Sequence, residues 1–498
     1  MPSTEELLLQ ALKQHGVGAA AKADTTFKDV AIERDGEKII LPALPREMTL
    51  NEGVSALQRL AKEEEAITAI NEVVRSYPLD GAVALMRVLK RRFGWTNLIP
   101  TPGFFGDKPP AQVGVEIGYK QTIQVPWGRM QVPGVEGFLA TGWNIIDNMP
   151  VFVISGEVKR RSEALVHAIA EDVRKEVADN SIYRHQAVRL TYRHANGDLI
   201  DDEDFNPYHG PRFLDLSGVD ENQAVFAAEA SEQINTSLFT PIVFSDRCRK
   251  HRVPLKRGVL LEGKFGTGKT LTAMITAHKC VSKESDRWTF CYLDDVRDLD
   301  RAIKFAKEYG PAVIFAEDVD RVVSGERNED MDRVLNTIDG VDSKDSELIV
   351  VLTTNSVEKI HPAFIRPGRI DAVISIAPPD AQVVVKLIRK YGGTAIQAED
   401  EDLLEVVGPI IGQNAAVTRE VVERAKLSAI QHSSGELEIY ADDIKSAVIS
   451  MAKHLELLNP AQPEEIGAGE RFMDAIADKV MESIREAQER VERALASL

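Results

Sequence analysis

Short apolar runs alternate with helix-compatible stretches through the second half of the chain. Residues 259–261, 288–293, 312–316 and 348–352 each suit a strand covered on both faces. LTAMITAHK follows the first run and DDVRDLDRAIKFAKEYG the second, and both read as helices. From Asp380 to Leu458 the pattern is helical throughout. Beyond Glu470, Met473, Ile476, Val480, Ile484 and Val491 mark one face of an amphipathic helix. Upstream, VFVISG, SEALVHAIAEDVRKEVADN and AVRLTY read as strand, helix and strand. In that helix Leu165, Ile169, Val173 and Val177 recur every four residues and are expected to pack on a sheet. Residues 99–137 are rich in Gly and Pro (PTPGFFGDKPP, VPWGRMQVPG) and predict turns with short strands. Residues 1–95 hold the helix-like TEELLLQALKQHG and GAVALMRVLKRRF. The expected division is a helical module over 1–95, an α+β region over 96–215, an α/β core over 216–380, a helical unit over 381–458 and a terminal helix over 459–498.

At 498 residues the chain is longer than one hydrophobic core usually supports, which agrees with several domains. No stretch approaches the roughly 20 apolar residues needed to cross a bilayer. MPSTEELLLQ lacks the basic and apolar regions of a secretory signal, and Cys248, Cys280 and Cys291 have no metal-ligand spacing. A soluble protein in a reducing cytoplasm, with no membrane partner, is expected. The formal charge of -18 repels a phosphate backbone and argues against a nucleic-acid partner.

The strongest chemical signal is LLEGKFGTGKT, whose residues Gly263 to Thr270 fit G-x-x-x-x-G-K-[ST] between a strand and a helix. Gly263, Gly266 and Gly268 let backbone N–H groups close around phosphate oxygens, with Lys264, Phe265 and Thr267 between them. The helix that begins near Lys269 and continues through Leu271 points its positive end at the same oxygens. Lys269 is then expected to reach the β and γ phosphates of ATP, and Thr270 to offer a hydroxyl to Mg²⁺.

Such a site needs a second acid, and the run at 312–316 ends in Glu317 and Asp318. Ligands in open α/β sheets bind at the C-terminal ends of strands. Taken alone, the pair could hold a metal, activate water, or terminate the strand and face solvent. Beside the phosphate loop, Glu317 is assigned to the metal and Asp318 to the attacking water. That order is the reverse of the usual one and displaces each carboxylate by about one methylene, on the order of 1 Å.

The order of phosphate loop, acidic strand end, the strand of ELIVVLTTN ending in Asn355, and RPGRID resembles an AAA ATPase module over roughly residues 220 to 455. The resemblance implies a P-loop AAA+ core, a parallel sheet flanked by helices, followed by a C-terminal helical lid. It further implies that Asn355 helps place the water, and that Arg366 and Arg369 are fingers completing a neighbouring subunit's site. An oligomer follows, typically a six-membered ring. Arg419 from the lid is a weaker candidate for phosphate contact. In finer detail the E-D pair, MDRVLNTIDGVDSKDSELIVVLTTN and VPLKRGVLLEG resemble the branch containing the mitochondrial Rieske-protein translocase and its bacterial and plant relatives, without the membrane anchor. The short interval between WTFCYL and the following helix leaves little room for the aromatic pore loop of protein-threading relatives. The expected function is Mg²⁺-dependent ATP hydrolysis that remodels or assembles an unidentified protein client. The alternatives are a nucleic-acid motor or loader and an ATP-gated scaffold with very slow hydrolysis.

Overall fold

A computed structural model describes residues 58–458, apart from 60, 104–105, 195, 197, 200–209, 222–223, 283–286, 324–328, 340–346, 367 and 433–434, together with the backbone of 30–34 and 37–41. TEELLLQALKQHG, Phe104, Phe105 and the C-terminal amphipathic pattern lie outside the described residues. The first strands, β1 (Val30–Arg34) and β2 (Glu37–Leu41), form an antiparallel ribbon.

A five-stranded antiparallel sheet follows. It is built from β3 (Ile67–Val74), β4 (Asn97–Leu98), β7 (Arg129–Gln131), β8 (Gly137–Ile146) and β9 (Met149–Lys159), in the order β3-β9-β8-β7-β4. The Gly- and Pro-rich stretch also supplies a hairpin, β5 (Ala111–Gly118) with β6 (Gln121–Trp127). GAVALMRVLKRRF is helical, within Pro78–Phe93, but ITAINEVV before it is a strand. Both elements belong to the five-stranded sheet and its covering layer, because β3 pairs along its whole length with β9. The helix crosses so closely that a Cβ at Gly81 would stand 2.3 Å from the Phe152 ring, so only glycine fits there.

The second helix of this layer is Glu163–Asn180. Val166, Ile169, Ala170, Val173 and Val177 form its buried stripe, with Leu165 only partly buried at the edge. A strict four-residue repeat drifts around a 3.6-residue helix, which is why Leu165 slides off the stripe and Val166 replaces it.

The α/β core holds a seven-stranded sheet. Its strands are β10 (Ala187–Leu190), β11 (Arg212–Phe213), β12 (Arg257–Glu262), β13 (Thr289–Leu293), β14 (Ala312–Ala316), β15 (Leu348–Thr354) and β16 (Ala372–Ser375). The order is β11-β10-β13-β14-β15-β12-β16, parallel except for β11. From β12 the chain crosses to β13, returns strand by strand to β15, and then passes to β16 on the other side of β12. The C-terminal ends of β12 and β15 therefore flank the crevice where such sheets take ligands. AVRLTY, expected beside VFVISG in one unit, instead extends this core sheet through β10.

The two sheets share a buried joint. Asp80 is 1% exposed and accepts hydrogen bonds from Ser181 Oγ at 2.8 Å and Ile182 N at 2.9 Å. Tyr309, at the end of the core helix Leu299–Glu308, accepts from Tyr77 N at 2.7 Å and hydrogen-bonds Asp80. Its ring lies 4.5 Å from Phe305 and 5.7 Å from Tyr183. Arg184 closes the end of the same helix by donating to Glu308 O at 2.8 Å and Gly310 O at 2.6 Å.

Burial pushes Asp80 up to about 6, against the hydrogen bonds from Ile182, Ser181 and Tyr309 and the charge of Arg87. A carboxyl whose folded value lies above its unfolded one holds its proton more tightly when folded. Its contribution is full below the unfolded value and is lost as pH rises towards 6, by about 3 kcal/mol at most. Asp80→Asn should therefore gain thermal midpoint relative to the parent between pH 4.5 and pH 7. A difference between the two that stays constant over that range would overturn this account.

The C-terminal helices Ala381–Gly392, Asp400–Val406, Ala415–His432 and Ala441–Leu458 pack around their own core of Val384, Ile388, Leu403, Val421, Val422, Ile444 and Val448. No described helix is long and apolar enough to cross a membrane.

Candidate active site

The site is assembled at the ends of β12, β14 and β15. β12 is buried through Leu261, and its exit at Gly263 leads into the loop that precedes helix Lys269–Val281. Gly266 and Gly268 adopt φ of 78° and 106°, a region that side chains rarely enter. Their environment also excludes one. A Cβ at Gly266 would lie 2.8 Å from Asn414, and one at Gly263 would lie 2.6 Å from Ile376 O. Phe265 projects outward, 74% exposed, while Lys264 is exposed and Thr267 donates to Lys264 O at 2.9 Å.

Lys269 is buried and turns back over the loop. Its ammonium donates to Gly263 O, to Lys264 O at 3.0 Å and to Asn355 Oδ1 at 2.9 Å. Burial lowers its pKa, and the carboxylates of Asp318, Glu317, Asp320 and Glu262 work in the opposite direction. Thr270 donates to Glu317 Oε1 at 2.6 Å, so the hydroxyl and carboxylate assigned to the metal converge on one point. Leu271 follows on the helix, half-buried.

Across the crevice, β14 is terminated by Asp318, which has φ of 55°. A short polar side chain tolerates this conformation better than a branched one. Its backbone N–H donates to Thr353 Oγ1 at 3.1 Å, and its carboxylate accepts from Asn355 Nδ2 at 3.0 Å and pairs with Arg321. Asn355 thus spans Lys269 and Asp318 with its two amide atoms. Its backbone N–H donates to Asp320 at 3.3 Å.

Arg366 and Arg369 lie elsewhere. Arg366 is exposed, and Arg369 donates to Ala363 O at 2.6 Å. A Cβ at Gly258 would meet Arg369 O at 1.9 Å, which fixes this segment against the start of β12. Gly258 is four residues, roughly 13 Å, from Glu262 at the loop end of that strand. The two arginines are therefore not gathered with the chain's own phosphate loop. Arg419 is exposed on the lid helix and acts electrostatically on Tyr391.

Several contributors escaped the sequence reading. Asn414 caps helix Ala415–His432, accepting from Val417 N at 3.1 Å, and stands against Gly266. An Asn just before a helical run is a capping signal, but nothing local says that it touches a loop some 150 residues away. The contacts of Asp320 with Asn355 and of Thr353 with Asp318 likewise arise only from the pairing of β14 with β15, whereas Arg321 meets Asp318 locally, three residues along the chain. Between β13 and the turn Val296–Asp298 there are two residues, Asp294 and Asp295.

The residues fit a nucleoside triphosphate with a divalent cation. Gly266 and Gly268 take backbone angles that suit a tight loop before a helix N-terminus, Lys269 supplies positive charge, and Thr270 and Glu317 are hard oxygen donors placed together.

Residues 259–378 match the family described as "ATPase family associated with various cellular activities (AAA)". Among curated proteins the chain is similar to the ATP-dependent zinc metalloprotease FtsH of Aquifex aeolicus, 28% identical over 292 residues, covering 53% of this chain and 44% of that protein. It is also similar to the proteasome-associated ATPase of Frankia alni, 27% identical over 256 residues, covering 44% and 42%. A third relative is the 26S proteasome regulatory subunit 4 homolog of Schizosaccharomyces pombe, 26% identical over 296 residues, covering 56% and 64%. The matches span less than half of the first two relatives. With its strand order, phosphate loop and acidic strand end in place, the segment 259–378 of this chain is an AAA domain.

Proposed function

We propose that the chain is a Mg²⁺-dependent ATPase that works as a ring oligomer, a hexamer, on a protein client in the cytoplasm. The observation that carries this reading is the convergence of Lys269 and Thr270 on Glu317, Asp318 and Asn355 across the β12–β15 crevice. In it, residues 263–271 bind the phosphates and Lys269 neutralises charge on the transferring group. Thr270 and Glu317 hold Mg²⁺, which supplies charge screening on the phosphate oxygens. Asp318 orients the attacking water and takes its proton, and Asn355 fixes Asp318 relative to Lys269.

Arg366 and Arg369 serve a neighbouring subunit, a role supported by their distance from their own loop. The two-residue interval after β13 favours remodelling by shape change of the ring over threading by aromatic pore loops. That and the E-D acid pair underlie the resemblance to the Rieske-translocase branch. The division at 95, 215, 380 and 458 belongs to the same reading, with the strand exchanges described above.

ATP turnover per subunit should rise with protein concentration and then saturate, and Arg369→Ala should flatten that rise. Turnover independent of concentration would remove the ring from the proposal. A second reading, a nucleotide-gated scaffold, draws on the ion pair that ties Asp318 to Arg321. It predicts ATP binding with turnover no higher than that of Lys269→Ala.

A further inference from the structure

The strand that joins the AAA sheet from outside the matched segment reaches the acidic end of the site. Arg189 of β10, Tyr292 of β13 and Phe315 of β14 stand abreast in register. The Arg189 guanidinium lies 5.0 Å over the Tyr292 ring, and that ring stacks on Phe315 at 6.3 Å and 8°. Asp294 anchors Arg189 from the side at 3.2 Å. Glu317 is two residues beyond Phe315 and so emerges on the face that Tyr292 occupies. Arg189, Tyr292, Asp294, Glu317, Asp318 and Arg321 line one cavity of about 590 Å³.

We propose that Tyr292, held in place by Arg189, is a positioning residue that fixes the Glu317 carboxylate towards Thr270. This rests on the ATPase reading and deepens it, because it gives the metal-side acid a support from a strand outside residues 259–378. The phenol is suited to the task. A phenol keeps its O–H at neutral pH, and Tyr292 is hydrogen-bonded to Glu317, so it donates to the carboxylate. Glu317 then has two donors, Thr270 and Tyr292, and little freedom to turn away.

The test is Mn²⁺ affinity, measured by electron paramagnetic resonance on the full chain with a nonhydrolysable ATP analogue, beside metal-free binding of a fluorescent ADP. Tyr292→Phe keeps the ring on Phe315 and removes only the hydroxyl. It should weaken Mn²⁺ roughly tenfold and leave metal-free ADP affinity unchanged. Arg189 is 48% exposed, so Arg189→Met removes the guanidinium with little cost to folding, and it should shift Mn²⁺ in the same direction, while Arg189→Lys restores part of it. Mn²⁺ affinity within twofold of the parent in both Tyr292→Phe and Arg189→Met would overturn the proposal. Failure of the parent to bind the fluorescent ADP would instead overturn the ATPase reading, and this inference with it.

Discussion

Lys269→Ala should lower ATP turnover by at least about a hundredfold and weaken ATP binding as well. The buried ammonium is the positive group aimed over the loop, and its lowered pKa comes from burial rather than from any cationic neighbour. Alanine removes that charge and leaves Asn355 Oδ1, Gly263 O and Lys264 O without their shared donor. The loop glycines and the helix remain, so the thermal midpoint should move little. Steady-state phosphate release with a parallel binding titration decides the matter. Turnover within fivefold of the parent would mean that the phosphates do not rest under this side chain.

Asp318→Asn should cost roughly 10²- to 10⁴-fold in kcat with KM nearly unchanged. The amide preserves the size of the side chain and can still accept from Asn355, but it cannot take a proton and no longer pairs with Arg321. Glu317→Gln should behave differently, raising the Mg²⁺ concentration needed for half-maximal turnover because the lost charge belongs to the oxygen cluster with Thr270. The pair of variants separates the two acids by kinetic parameter, not only by size of effect. If Asp318→Asn retains full kcat while Glu317→Gln abolishes it, the water belongs to Glu317 and the assignment of the two acids is exchanged.

The parts of the site that could be read from the chain are those encoded locally. A glycine-rich loop after an apolar strand, an acid pair closing another and an Asn closing a third each carry their meaning within a dozen residues. What was not legible depends on pairing between distant segments. Ile67–Val74 is a strand because β9 lies beside it, and its own pattern of burial alternates only weakly. Tyr292 reads as one more core aromatic until Arg189 is placed over it by the β10–β13 register. Asn414 reads as a helix cap, and its contact with Gly266 arises only when the lid folds back on the loop. The aromatic joint around Asp80 is similarly invisible, since its members come from residues 77 to 309.

The added strand also determines where this protein can be cut. A fragment beginning at residue 216, the boundary that the hydrophobic pattern suggests, lacks β10 and β11 and leaves β13 as the sheet margin. TFCYL would then present a row of unpaired backbone groups bearing five apolar or hydroxylated side chains that are now all buried. Such a margin is a template for intermolecular pairing. A piece that retains the nucleotide site should therefore start before Ala187, so that β10 still covers β13, and keeping Tyr77 and Tyr183 as well leaves Phe305 and Tyr309 buried.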